Sequence, residues 1–128
     1  MNLLLDTHLI LWAAGQPDKL PKEARVLLLE PGNQLFFSPV SLWEISIKNG
    51  LGHHDFSIDP HRLWRMLLAN GYRELLISSE HAIAVNNLPR LHKDPFDRIL
   101  LAQARVEGLV LLTVDKALAD YGDPVRRV

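Results

Sequence analysis

Four carboxylates stand out by where they fall in the chain. Asp6 closes the apolar run Asn2 to Leu5, and Asp115 follows Val110-Leu111-Leu112-Thr113-Val114. Glu44 lies at helical spacing from Val40, Ile47 and Leu51, and Asp97 from Leu100, Leu101 and Ala104. A carboxylate turned toward a core is unfavourable unless it is paired or bound to a cation. Gathered carboxylates also raise one another's pKa, and a divalent cation removes that repulsion. Oxygen donors without cysteine favour Mg2+ or Mn2+ over Zn2+. Such ions activate water and stabilise charge on an attacked phosphodiester. An all-acid site with no evident nucleophile suits direct attack by water.

Each acid also has a purely structural use. Asp6 can cap the helix that follows it. Glu44 can pair with Lys48 one turn on. Asp94 precedes Pro95, the arrangement of an N-cap, and Asp97 would then sit in the first turn, where negative charge suits the helix dipole. Asp115 can be a turn residue. The combination carries the reading, because independent local signals put four acids near one end of a sheet.

The elements that must position them follow from periodicity and punctuation. Strands are expected at Asn2–Leu5, Gln34–Phe37, Glu74–Ile77 and Leu109–Thr113, with Val125–Val128 as a fifth, edge strand. Helices are expected at Thr7–Ala14, at Lys22–Glu30 with Val26, Leu27 and Leu29 on its apolar side, and from Pro39 to Lys48 behind Ser38. Further helices run from Pro60, capped by Asp59, to Asn70-Gly71, from Ser79 as cap to Val85, and from Pro95 to Val106 before Gly108. Asp115–Asp120 reads as a short helical turn. Alternating strands and helices imply a parallel sheet covered on both faces, and ligands in such sheets bind beyond the carboxyl ends of the strands.

Bulk properties narrow the function classes. The 128 residues fit one domain, 1–128, with 48% apolar and 23% charged residues. The absence of cysteine excludes disulfides and thiolate sites and agrees with a reducing, cytoplasmic setting. The opening MNLLLDTHLILW has no basic leader, and Asp6 interrupts its apolar run, so neither a signal peptide nor a membrane span is expected. The net charge of −1 implies that any contact with nucleic acid is local. Ser38, Ser41, Ser78 and Ser79 form no nucleophile elbow, and there is no phosphate loop or dinucleotide glycine fingerprint. His53-His54 reads as a solvated loop. Trp43, Phe56 and Trp64 read as core, or as the lining of a groove between the third and fourth helices that a partner helix could fill.

Four segments resemble, in order, the motifs of the PIN-domain family. They are Leu3-Leu4-Leu5-Asp6-Thr7-His8, Ser38-Pro39-Val40-Ser41-Leu42-Trp43-Glu44-Ile45, Asp94-Pro95-Phe96-Asp97-Arg98-Ile99-Leu100-Leu101-Ala102-Gln103-Ala104 and Leu111-Leu112-Thr113-Val114-Asp115. The third is similar to that of a VapC-like branch. The resemblance implies a three-layer α/β/α sandwich with a central, mostly parallel sheet of four to five strands. It implies an Mg2+- or Mn2+-dependent endoribonuclease, the toxin of a type II toxin–antitoxin pair. Its RNA phosphodiesters would be cut by metal-activated water, and a small antitoxin would reach into the acidic groove. A homodimer is implied as well. By position, Asp6, Glu44, Asp97 and Asp115 are the catalytic and metal-binding set, with Asp94 a helix cap or an outer ligand. Thr7 and Thr113 are the residues to orient them, and Arg98, Lys93, Lys48 or Lys116 the contacts to the RNA backbone.

Two rival readings keep the fold. One is a non-catalytic binding module that acts through its partner complex. The other is phosphotransfer with Asp6 as nucleophile. Haloacid-type chemistry wants a second aspartate two positions on, where this chain has His8.

Overall fold

The computed structural model describes residues 1–53 and 56–128. His54 therefore lies outside the described residues. Among those described, five strands form one sheet in the order β3-β2-β1-β4-β5: β1 (Asn2–Leu5), β2 (Gln34–Phe37), β3 (Arg73–Glu74), β4 (Val110–Thr113) and β5 (Val125–Arg127). Every neighbouring pair is parallel. The helices are α1 (Thr7–Gly15), α2 (Lys22–Leu29), α3 (Pro39–Gly50), α4 (Pro60–Ala69), α5 (Ser79–Ala84), α6 (Pro95–Glu107) and α7 (Lys116–Ala119).

The pleat of β1 divides the core in two. Leu3 and Leu5 face one side, where Leu9 and Ile10 of α1, Ala24 of α2 and Leu63 and Leu67 of α4 cover them. Leu4 faces the other side, against Leu100, Leu101 and Ala104 of α6. All three β1 leucines are fully buried, as expected for the middle strand of a parallel sheet. The chain runs outward from β1 through β2 to β3, then crosses back to β4 on the other side of β1. That reversal opens a crevice at the carboxyl ends of β1 and β4, where Leu5 pairs with Leu112 and the Asp6 amide donates to the Leu112 carbonyl.

Several local expectations are corrected. The third strand covers only Arg73–Glu74. The Leu75 amide donates once more to Phe37, but β2 then turns into α3 through Ser38-Pro39, so Leu76 and Ile77 have no neighbouring strand to join. Ser78, not Ser79, caps α5: its hydroxyl accepts from the His81 amide while His81 Nδ1 accepts from the Ser78 amide. Histidine stands where a capping box ordinarily has Glu or Gln, which hid the signal. On α2 the packed face is Ala24, Leu27 and Leu28, while Val26 and Leu29 point outward. Three consecutive leucines blur the helical period, and small Ala24 marks the face that fits closest. On α3, Glu44 is buried with Val40, Ser41 and Ile45, whereas Ile47 and Leu51 are exposed. The stripe is rotated from the expected one, yet it still carries the glutamate inward. At the far end of α6, Gly108 adopts φ +69° and closes the helix in a left-handed turn.

Candidate active site

The capping geometry that starts each helix at the crevice also aims its acid. Asp6 leaves β1 as the N-cap of α1: Oδ1 accepts from the Leu9 amide at 2.9 Å and Oδ2 accepts from Thr113 Oγ1. Thr113 ends β4, and its hydroxyl also accepts from the Asp115 amide at 3.0 Å. One side chain thus ties the ends of the two central strands together. Asp115 is the N-cap of α7 through Oδ1, and Asp94 is the N-cap of α6 through Oδ1, which accepts from the Phe96 and Asp97 amides. Capping and site placement coexist at Asp6, Asp94 and Asp115, since each cap uses Oδ1.

Glu44 enters from α3. Thr7 Oγ1 donates to Glu44 Oε1 at 2.7 Å, the Ser41 hydroxyl stands 3.0 Å from the threonine oxygen, and Lys48 Nζ pairs with Glu44 Oε2. Glu44 is only 4% exposed, so this is a shielded pair rather than a solvated surface contact. Lys48 Nζ also lies 4.7 Å from the centre of the Phe56 ring. Asp97 comes from the first turn of α6, and its Oδ2 is 2.7 Å from His92 Nε2.

These residues meet. Asp6, Thr7, His8, Glu44, Lys48, Asp94, Asp97 and Asp115 line one small pocket of about 90 Å³. Burial pushes the Asp6 carboxyl upward, against the opposing hydrogen bond from Thr113. Burial also pushes Asp97 up to about 7; the His92 hydrogen bond opposes this, and the charges of Asp94 and Asp6 add to it. Among the described residues, five acids face a single lysine that is already committed to Glu44, so their side of the pocket carries surplus negative charge. Hard oxygen donors at this density fit a divalent cation of the Mg2+ or Mn2+ kind, and the donor atoms of His92, Asp94 and Asp97 lie within 4.8 Å of one another.

His92 is the residue that sequence reasoning missed. It sits in an irregular loop, where periodicity gives no direction, although its place five residues before Asp97 was visible. Arg98 has a different use from the one expected. Its guanidinium donates to the Val85 and Pro89 carbonyls and to Tyr121 Oη, so it braces the loop. Lys93 and Lys116 are exposed. Lys93 lines a wide groove of about 670 Å³ with Asn86, Arg90, His92 and Arg98. The expected groove between the third and fourth helices is also relocated. Phe56 is buried in the core and Trp64 packs beside it. Exposed Trp43 instead meets Phe96 edge-on at 5.3 Å, across a cleft between α3 and α6 lined by Val40, Ile77 and Ile99.

The parallel sheet with its switch-point crevice and converging acids defines a class of α/β proteins with an acidic site. The PIN domain family model matches residues 3–124, and the chain belongs to that family. It is similar to ribonuclease VapC22 of Mycobacterium tuberculosis, at 27% identity over 96% of this chain and 94% of that protein. The fold is shared with VapBC2 of Rickettsia felis, solved bound to a DNA fragment from its promoter: TM-score 0.72, 14% identity, 100% of this chain and 99% of that one. It is shared with a toxin–antitoxin complex from Klebsiella pneumoniae, with TM-score 0.66, 22% identity and coverage of 97% and 95%. It is shared also with Mycobacterium tuberculosis VapC20, described as a sarcin–ricin loop cleaving toxin, with TM-score 0.65, 16% identity and coverage of 94% and 95%. No helix among the described residues is long and apolar enough to cross a membrane.

Proposed function

We propose that the protein is an endoribonuclease and the toxin of a toxin–antitoxin pair, one PIN domain across residues 1–128, working in the cytoplasm with Mg2+ or Mn2+. The observation that carries this is the convergence of Asp6, Glu44, Asp97 and Asp115 on one pocket at the switch point of the sheet. Membership of the PIN family and the likeness to a VapC ribonuclease support it. Asp6 and Asp97 are the principal cation ligands, Glu44 and Asp115 complete the set, and Asp94 is an outer ligand that also caps α6. A bound divalent cation supplies activation of water and neutralises charge at the attacked phosphodiester.

The chain's own residues do the positioning. Thr113 fixes Asp6, and Thr7 fixes Glu44, so neither carboxylate must reorganise when substrate arrives. Lys48 pairs with buried Glu44 and offsets its charge. Arg90 and Lys93 contact RNA phosphates along the groove that leads to His92. A small antitoxin is the partner, in keeping with the toxin–antitoxin complexes that share this fold. The chain forms a homodimer, a reading supported by exposed Trp43 and Ile77 beside the α3–α6 cleft.

The test is cleavage of total cellular RNA by purified, partner-free protein with Mg2+, Mn2+ or EDTA, beside Asp97→Asn. Discrete fragments that require metal and vanish in the variant are expected. No cleavage by a folded, partner-free protein under any condition would replace the nuclease with a binding module acting through its complex.

A further inference from the structure

The loop that carries His92 is held from two sides. Arg98 of α6 donates to Val85, Pro89 and Tyr121 Oη. Tyr121 Oη donates to the Pro89 carbonyl and accepts from the His92 amide. These bonds hold the His92 backbone beside the acids. Nε2 lies 2.7 Å from Asp97 Oδ2 and 3.6 Å from Asp115 Oδ2, and the side chain is 18% exposed. Two donors side by side on an octahedral ion, each about 2.1 Å from it, are about 3.0 Å apart. The two observed separations bracket that value, and Asp94 offers a further oxygen within the same 4.8 Å set. Among the described residues, the other histidine at these acids is His8, which is held differently: its ring packs against Trp12 at 5.7 Å and Phe56 at 5.4 Å.

We propose that His92 Nε2 is a direct nitrogen ligand of the divalent cation, which makes the site a mixed nitrogen–oxygen set. This rests on the cation-dependent reading of the same pocket. To ligate, the neutral imidazole would carry its single proton on Nδ1 and present the Nε2 lone pair to the cation, which Asp97 Oδ2 beside it would share. An imidazole donor shifts preference toward Mn2+ and away from Mg2+, relative to carboxylates alone.

The experiment is pulsed electron paramagnetic resonance on the whole protein loaded with Mn2+, with calorimetric titration of Mn2+ and Mg2+. Nitrogen modulation of the manganese signal is expected in the wild type, retained in His8→Gln and lost in His92→Gln. Glutamine places an amide N–H near the imidazole Nε2, so the hydrogen bond to Asp97 survives while the nitrogen lone pair is gone. The Mn2+ dissociation constant should rise at least about tenfold in His92→Gln, and that of Mg2+ less than about threefold. Manganese bound without nitrogen modulation, or modulation that survives His92→Gln, or equal losses for the two ions, overturns the proposal and leaves the cation reading intact. Failure of the wild type to bind Mn2+ overturns both. Should His92→Gln not fold, the wild-type spectrum beside that of His8→Gln decides: modulation lost in His8→Gln assigns the nitrogen to His8.

Discussion

Replacing Asp97 by Asn should abolish cleavage and, without metal, stabilise the protein. Asp97 is raised from 3.8 to about 7, with burial the largest cause and the charges of Asp94 and Asp6 added to it. A carboxyl raised in the native state binds its proton more tightly there than in the unfolded chain. Its ionisation therefore removes stability progressively as pH rises from about 4 to about 7, and the loss is complete above that. Three pH units at about 1.4 kcal/mol each set an upper bound of about 4 kcal/mol. The Asn variant has no such proton to lose, and it keeps a hydrogen-bonding group beside His92. Urea or thermal unfolding in EDTA should show Asp97→Asn more stable than wild type by about 2–4 kcal/mol at pH 8. The melting temperature should rise by about 3–5 °C for each kcal/mol. Between pH 5 and pH 8 the gap should widen by about 2–3 kcal/mol. Saturating Mn2+ should reverse the order, because only the wild type retains the full ligand set. A variant no more stable than wild type at pH 8 in EDTA, or a gap that does not change with pH, would refute the electrostatic reasoning.

Three further perturbations separate the roles of neighbouring residues. Thr113→Val removes a donor to buried Asp6 and an acceptor for the Asp115 amide; unfolding should show a loss of about 1–3 kcal/mol and single-turnover assays a lower cleavage rate. Arg98→Ala should cost about 1–3 kcal/mol by leaving its carbonyl partners unpaired and speed amide hydrogen exchange in residues 88–93; a raised KM with unchanged stability would instead make Arg98 an RNA contact. Arg90→Glu with Lys93→Glu should weaken RNA binding and flatten its salt dependence, by a slope of about 0.7 for each phosphate no longer neutralised on single-stranded RNA, while Mn2+ affinity and melting temperature stay put.

The order of strands and helices was legible in the sequence because its signals are local. Asp-Pro and Ser-Pro pairs start helices, Gly108 ends one, and Leu3-Leu4-Leu5 suits a strand buried on both faces. Asp6, Glu44, Asp97 and Asp115 were legible as candidates for the same reason: each breaks an apolar pattern or ends a strand. The third strand is shorter than its apolar run because its length depends on where its neighbour turns away, which the pattern of residues 74–77 does not record; Arg73–Glu74 pair only as far as β2 extends. The rotation of α3 that buries Glu44 beside Ser41 and exposes Ile47 depended on what α1 and α6 present to it. Above all, tertiary structure decided the company each acid keeps. Thr113 reaches Asp6 across 107 positions, and His92 reaches Asp97 from a loop that Arg98 and Tyr121 hold in place. Periodicity tells which face a side chain occupies within its own element. Only packing brings faces from β1, α3, α6 and β4 to one pocket, because those contacts link residues distant along the chain.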